Sequence, residues 1–508
     1  MNHKALVLRN VGSNWVGLGV TVAVGFFLSP FILHTLGNDA FGLWVLVFSI
    51  TGYYGLFDLG IRSSIIKYVA KYAAIRDYDG LARLVNTSLC SYGGVAAVLL
   101  VVTGVGAWYV DSIFRVPPAF LQTARLLFVM VGAALALGFP MSVFKGVLQG
   151  LQEFHWLNLT QIVCDLLRAL LIVIALSHGR GLLTVALITV ALPLLASCVH
   201  VLIVRRRIPI SFGLHYVHRA SFHQMISYGA VTFMIMVADQ LRFASDAIVI
   251  GIFLSVSAVT YFSIAAKLVD YANNVVDSMA ETFLPLSSRF DATGDLSRMR
   301  RLFIDGNRAC AIVLFPICAM LIVRGRSIID VWVGPEYESS YVILVLLIVS
   351  RTAYRAQGAS NRILFGMARH KPLGLAVLAE GAANLVLSIL LVRHFGIVGV
   401  ALGTAIPLLC LSLFFLPYYP CRLLGVRLRD FVRHAYVPAL ALCVPLVAAL
   451  LVMERLFDAR TYLELGAQLL AAGTVYGAGV VWFLALKQPI HMTLKRQFTN
   501  LVQQALSR

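Results

Sequence analysis

Lys267, Asp270, Asn274, Asp277 and Glu281 follow one another at intervals of 3, 4, 3 and 4 residues, which on a helix places all five on one face. Asp239, Arg242 and Asp246 keep the same rhythm, as do Asn158, Gln161, Asp165 and Arg168. Arg351, Arg355 and Arg362 share a face with Gly358, and Glu380 stands alone in its segment. Rows of this kind suit the holding of an anion and the movement of a proton or small cation. A guanidinium donates in pairs to phosphate or pyrophosphate, and a carboxylate in a low-dielectric cavity takes up a proton readily.

The segments that carry these rows are apolar. The chain of 508 residues is 60% hydrophobic and 13% charged, about half the charge usual in a soluble domain, and its mean hydropathy is +0.87. Apolar runs long enough to cross a bilayer as helices recur from end to end. They predict about fourteen spans, near 11–36, 40–62, 85–110, 122–148, 156–177, 182–204, 225–253, 257–285, 302–323, 340–366, 372–392, 396–420, 432–453 and 461–486. The first run is too long for a signal-peptide core and reads as a spanning helix. By these boundaries Arg168, Arg242, Lys267, Arg351 and Arg355 lie near the middle of their spans, together with Asp165, Asp239, Asp270 and Glu380. Ionisable groups at that depth normally face a protein interior or a hydrated cavity. The five cations form a candidate substrate site and the four acids a candidate site for proton or sodium coupling. Static intrahelical pairing of Asp239–Arg242, Lys267–Asp270 and Asp165–Arg168 is the competing reading. Arg351 and Arg355, with no acid on their own face, favour a bound anion.

Most Lys and Arg residues fall in loops on the side of the N-terminus, including Arg205–Arg207 and the group Arg422, Arg427, Arg429 and Arg433. This bias predicts cytoplasmic termini and accounts for the net charge of +18 without a nucleic-acid partner. The eight cysteines form no CxxC and no Cys/His cluster, so no metal site or cofactor is expected, and there is no GxxxxGK[ST] for a nucleotide. A faint internal repeat relates "AFGLWVLVFSI" (40–50) to "AVTYFSIAAKL" (258–268) and "YDGLARL" (78–84) to "TGDLSRMRRL" (293–302). An offset of six spans predicts two six-helix lobes of like orientation, 1–210 and 211–430, with a further helix pair and tail in 431–508.

"GLFDLGIRSSIIKY" (55–68) carries an acid and a base four residues apart, Asp58 and Arg62, at the predicted inner end of the second span. The repeat sets them against Asp277 and Glu281 of the second lobe. The four residues form a candidate cytoplasmic gate.

The opening of the chain, with "LGNDAFGLW", "YYGLFDLG" and "AIRDYDGLARL", resembles the bacterial oligosaccharide flippases of the Wzx-type polysaccharide transporter family. That family shares a superfamily with drug exporters of the MATE type and lipid II flippases. The resemblance implies an all-α, MATE-like polytopic protein of a bacterial inner membrane. Its implied activity is flipping of an undecaprenyl-diphosphate-linked oligosaccharide, such as an O-antigen, capsule or exopolysaccharide unit, to the outer leaflet by alternating access. It implies a carrier rather than an enzyme, working beside polysaccharide polymerase machinery. An integral-membrane glycan polymerase or ligase and a MATE-like drug exporter are the alternatives; the short outer loops argue against the first, and the Arg-rich tenth span against the second.

Overall fold

A computed structural model of the protein describes residues 3–208, 211–457 and 459–486. They are helical, with no strand among them. The chain forms two compact units: one holds the residues up to Ile264 together with Gly374–Pro407, the other Ala265–Leu373 and the residues from Leu408 onward. The first unit begins with α1 (His3–Leu36), α2 (Asn38–Gly52), a 3-10 turn (Tyr53–Asp58), α3 (Ile61–Ala74) and α4 (Tyr78–Trp108). A short α5 (Val110–Ile113), α6 (Leu121–Gly150), α7 (Phe154–Ser177), α8 (Leu182–Arg207), α9 (Arg219–Phe243) and α10 (Ser245–Phe253) follow. After α11 (Val256–Ala280), whose larger part belongs to the second unit, come α12 (Phe283–Ala292), α13 (Leu296–Val323), α14 (Gly325–Val333), α15 (Ser340–Arg355) and α16 (Gly358–Gly366). Most of α17 (Lys371–Cys410) belongs to the first unit. The second unit closes with α18 (Leu416–Leu424), α19 (Leu428–Ala435), α20 (Val437–Leu456) and α21 (Tyr462–Leu486).

Among the described residues, eleven helical segments are long and apolar enough to cross a membrane. The protein is therefore a polytopic α-helical membrane protein. Helices are the form such segments take, because hydrocarbon offers backbone N–H and C=O groups no other partners. The longest segment, Lys371–Leu424, is broken at Gly396, where φ is 58°. Helices α9 to α11 fall outside the eleven, and α11 carries Lys267, Asp270 and Asp277 along its length. The expected total of fourteen thus goes beyond what length and composition alone mark out.

The internal repeat is written in the turns more clearly than in the letters. Asp77 caps α4 by accepting from the Gly80 N–H at 2.8 Å, and Asp295 caps α13 by accepting from the Arg298 N–H at 3.0 Å. The residue before each cap, Arg76 or Gly294, is left-handed, with φ of 55° or 65°. Asp77 N–H donates to Tyr72 O and Asp295 N–H to Phe290 O, both at 3.0 Å. The offset is 295 − 77 = 218 residues. A second left-handed pair, Gln152 and Ala368, lies 368 − 152 = 216 apart, and there Glu153 N–H reaches Leu148 O and Arg369 N–H reaches Leu364 O, each at 2.9 Å. Gly179 and Gly396 form a third pair, 396 − 179 = 217 apart. Packing follows the same register. A Cβ on Gly150 would lie 2.8 Å from the Val69 Cβ, and one on Gly366 would lie 2.0 Å from the Ser287 Oγ. Val69 and Ser287 are again 218 apart.

In the first unit, Ile61, Ile65 and Val69 of α3 pack with Leu81, Leu84 and Val85 of α4 and Val143 and Val147 of α6. Nearer the start of α2, Leu43, Leu46 and Val47 meet Leu127 and Val131 of α6 and Val256. In the second unit, Phe303 of α13 stacks on Phe431 of α19 with ring centroids 4.5 Å apart. The C-terminal pair packs through Leu442, Leu446 and Leu450 of α20 and Ala472 and Tyr476 of α21. The Tyr476 hydroxyl ties that pair to α13 by donating to Ile312 O at 2.7 Å.

The tightest approach in the first unit is at Gly42, where a Cβ would lie 1.8 Å from Val256 O. Backbone cannot yield as a flexible side chain does, so Gly42→Ala should cost about 1–3 kcal/mol through overpacking. Gly104, where an added Cβ would have nothing within 4 Å, is the control: Gly104→Ala should be neutral or stabilising by about 0.4–1 kcal/mol. Unfolding in a mild detergent titrated with SDS checks both; equal behaviour of the two variants would remove the packing argument.

Candidate functional site

The charged residues of the second unit meet across helices. Arg351 of α15 is bonded to Asp270 of α11, Arg355 to Asp277 at 2.8 Å, and Arg362 of α16 to Glu281 at 2.5 Å. The three bridges form a ladder between α11, with Glu281 just past its end, and the α15–α16 run. The acids are spaced 7 and then 4 residues apart and the arginines 4 and then 7, so each set runs over an interval of 11 residues. The Arg351 side chain is 6% exposed and its partner Asp270 57% exposed, so this rung is buried at the base and open at the acid. Lys267 sits one turn before Asp270 on α11 and is half-buried. The expectation that Arg351 and Arg355 lack an acid holds only along their own helix face. Their counter-charges come from α11.

In the first unit, Arg242 near the end of α9 is fully buried and bonded to Glu380 of α17, whose side chain is also buried; Arg242 Nε donates to Glu380 Oε2 at 2.5 Å. Asn384, one turn beyond Glu380, donates to the Arg242 carbonyl at 3.3 Å. Asp246 of α10 accepts from the Thr404 hydroxyl at 2.9 Å. Asp239, one turn before Arg242, is exposed. Thus Arg242 takes its carboxylate from another helix in addition to anything its own sequence neighbours supply. Asp165–Arg168 is the intrahelical pair that spacing anticipates, with Nη2 2.9 Å from Oδ1. The buried Asp165 also accepts from the Thr21 hydroxyl at 2.7 Å and the Gln161 amide at 3.1 Å.

Asp58 and Arg62 do not share a helix face. The 3-10 turn ends at Asp58, Leu59 and Gly60 are left-handed with φ of 51° and 74°, and α3 starts anew at Ile61. A Cβ on Gly60 would fall 2.2 Å from Gly229 O, so glycine is required both by the turn and by the approach of α9. The break redirects the two side chains. Buried Asp58 accepts from the Tyr92 hydroxyl and, at 3.2 Å, from the backbone N–H of Arg62. Asp277 and Glu281, the other two candidates for a gate, are held by Arg355 and Arg362.

The first unit also contains a cavity of about 620 Å³ whose walls include Tyr54, Asp58, Arg62, Lys145, Arg168 and Thr189. A smaller one of about 120 Å³ shares Lys145 and Arg168 with it and adds Asp165, Gln161 and His200. His200 is buried, with Nε2 2.8 Å from the Thr160 hydroxyl. Lys145, Tyr92 and His200 escape a reading based on spacing, because none has a charged residue three or four positions away on its own helix. The one signal for Lys145 is its place before the small-xxx-small pair Gly146 and Gly150.

Helices long and apolar enough to span a bilayer, with arginines and carboxylates paired across helices and a cation-lined cavity, define a polytopic membrane transporter. The profile described as "Polysaccharide biosynthesis protein" matches residues 7–291, more than half of the chain, and the chain belongs to that family. It is 20% identical over 437 residues to the uncharacterized membrane protein EpsK of Bacillus subtilis (strain 168), covering 84% of this chain and 86% of that one. It is also 20% identical over 409 residues to a Shigella flexneri protein provisionally named O-antigen transporter, covering 79% and 94%. Its fold is similar to that of the lipid II flippase MurJ in an inward closed conformation (TM-score 0.71, 14% identity, 94% and 98% covered). It is also similar to an inward-facing MATE multidrug transporter of the MOP superfamily (TM-score 0.67, 13% identity, 81% and 95% covered).

The buried Arg242–Glu380 pair gives a stability test. Glu380→Ala takes a carboxylate from a buried guanidinium and should cost about 3–5 kcal/mol, whereas the double change Arg242→Met with Glu380→Leu should cost much less. SDS-titrated unfolding of the two variants measures the difference. Equal losses would show that Arg242 does not depend on Glu380.

Proposed function

We propose that the protein flips an undecaprenyl-diphosphate-linked oligosaccharide from the cytoplasmic to the outer leaflet of a bacterial inner membrane. The observation that carries this reading is the position of the ionisable residues. In a member of a polysaccharide biosynthesis family, arginines and acids stand buried in a bundle of mostly apolar helices, where a protein interior or a hydrated passage stabilises them. The name of the Shigella flexneri relative supports a lipid-linked glycan as cargo and a carrier rather than an enzyme. The distribution of Lys and Arg supports cytoplasmic termini.

Arg168, Arg242, Lys267, Arg351 and Arg355 meet the anionic part of the substrate in this reading. Asp165, Asp239, Asp270 and Glu380 couple the movement to a proton or a sodium ion, and Asp58, Arg62, Asp277 and Glu281 act at the cytoplasmic mouth. The ion-pair ladder supports a specific exchange. A diphosphate that takes over the Arg351 guanidinium frees Asp270 to hold the coupling proton or cation. Release of the substrate restores the Arg351–Asp270 pair. Substrate binding and ion uptake are then linked through one guanidinium. The lobes 1–210 and 211–430 alternate access to the two leaflets, with 431–508 as an added pair. A glycan polymerase on the outer side consumes the product.

Cells deleted for the gene and complemented with the Arg351→Ala, Arg355→Ala double variant should accumulate the lipid-linked oligosaccharide on the cytoplasmic leaflet, with surface glycan reduced by about tenfold or more. The variant should remain in the membrane at the wild-type level. Single unpolymerised units at the cell surface would point to a polymerase instead, and undiminished surface glycan would remove these arginines from the substrate site.

A further inference from the structure

The cations of the protein differ in what they already hold: Arg242 carries Glu380 and Arg168 carries Asp165. Arg351, Arg355 and Arg362 each carry a carboxylate, so an anion reaches them only by displacing an acid. Arg62 and Lys145 form no side-chain ion pair among the described residues, although both border the larger cavity of the first unit. We infer that Arg62, Lys145 and Arg168 together form an anion-binding site in the first unit, and that it grips an acidic group of the carried glycolipid, either the diphosphate linker or a sugar carboxylate. This rests on the flippase reading above and gives it a definite point of attachment.

The site is built by close packing of α3 on α6. A Cβ on Gly146 would lie 3.0 Å from Ile65 Cγ2 and 4.0 Å from Arg62 Cγ; one on Gly150 would lie 2.9 Å from Ile66 O. These two glycines let α3 settle on α6, and that brings the stem of Arg62 against the turn that carries Lys145. Arg168 reaches the same cavity from α7 and has a buried Nε with no acceptor. The acids nearby are committed. Asp58 accepts from Tyr92 and the Arg62 backbone, and Asp165 from Thr21, Gln161 and Arg168. Three cations against two engaged carboxylates leave a net positive cavity with donors to spare. At Arg62 and Lys145 an entering anion has no side-chain carboxylate to displace, and at Arg168 the unsatisfied Nε is free to donate beside the Asp165 pair. Guanidinium and ammonium donors at one wall suit a phosphate or carboxylate group.

The test uses the full chain in nanodiscs of phosphatidylcholine, with binding of geranylgeranyl diphosphate, uncharged geranylgeraniol and D-glucuronate measured by thermophoresis. Arg62→Gln and Lys145→Gln should each weaken diphosphate binding by roughly tenfold or more, leave geranylgeraniol unaffected, and melt as the wild type does. Lys145→Arg should restore binding. If the loss falls on D-glucuronate alone, the site still stands and the anion it reads is the acid of a sugar. Unchanged affinity for both anions in well-folded variants would overturn the site. Flipping by those same variants at the wild-type rate would overturn the grip on the carried glycolipid while leaving the transport reading intact, whereas absence of flipping by the wild type would remove that reading and not the measured anion site.

Discussion

A guanidinium at bilayer depth needs a counter-charge, and in this protein the counter-charge comes largely from a different helix. Placing Arg or an acid at the centre of a span costs from about 2.5 to well over 10 kcal/mol, depending on how water and lipid adapt. Arg242 meets that demand with Glu380, and Arg351, Arg355 and Arg362 meet it with Asp270, Asp277 and Glu281. Such bonds fix which helices are neighbours and in what register. They also make the unpaired state expensive, so any ligand that takes one partner must leave the other with a proton, a cation or water.

Small residues do the complementary work. Between spanning helices there is no hydrophobic drive beyond close contact, and Gly42, Gly60, Gly150 and Gly366 sit where a Cβ would strike a neighbour. Gly60 is the most consequential of them. It lets the chain turn left-handed between the 3-10 turn and α3 while α9 passes within touching distance, and so it sends Asp58 to Tyr92 and leaves Arg62 for the cavity wall.

Much of this was legible in the letters. Apolar runs mark the spans, and the 3-and-4 spacing on α11 marks a polar face. The repeat proved easier to see in backbone than in sequence, because a left-handed turn constrains φ and not the side chain: Arg76 answers to Gly294 and Gln152 to Ala368. What spacing does not carry is the identity of a neighbour on another helix. Asp239–Arg242 and Lys267–Asp270 are the pairs that one dimension offers; Glu380 and Arg351 are partners that only packing reveals. Asp58 and Arg62 misled for a related reason, since an i,i+4 argument presumes an unbroken helix, and two left-handed residues intervene. Lys145 left almost no trace because a lone lysine near a span end is ordinary in a membrane protein.

Carriage of a lipid-linked, anionic glycan across a bilayer is the central claim. It is tested most directly by reconstituting the purified chain in vesicles that hold a fluorescent undecaprenyl-diphosphate oligosaccharide in both leaflets, then adding an impermeant quencher outside. Fluorescence from the inner leaflet should be lost over time in vesicles with protein and kept in those without, and an uncharged polyprenol-linked glycan should not be moved. Quenching that stops at the outer leaflet in both preparations, under an imposed proton or sodium gradient as well, would contradict the claim.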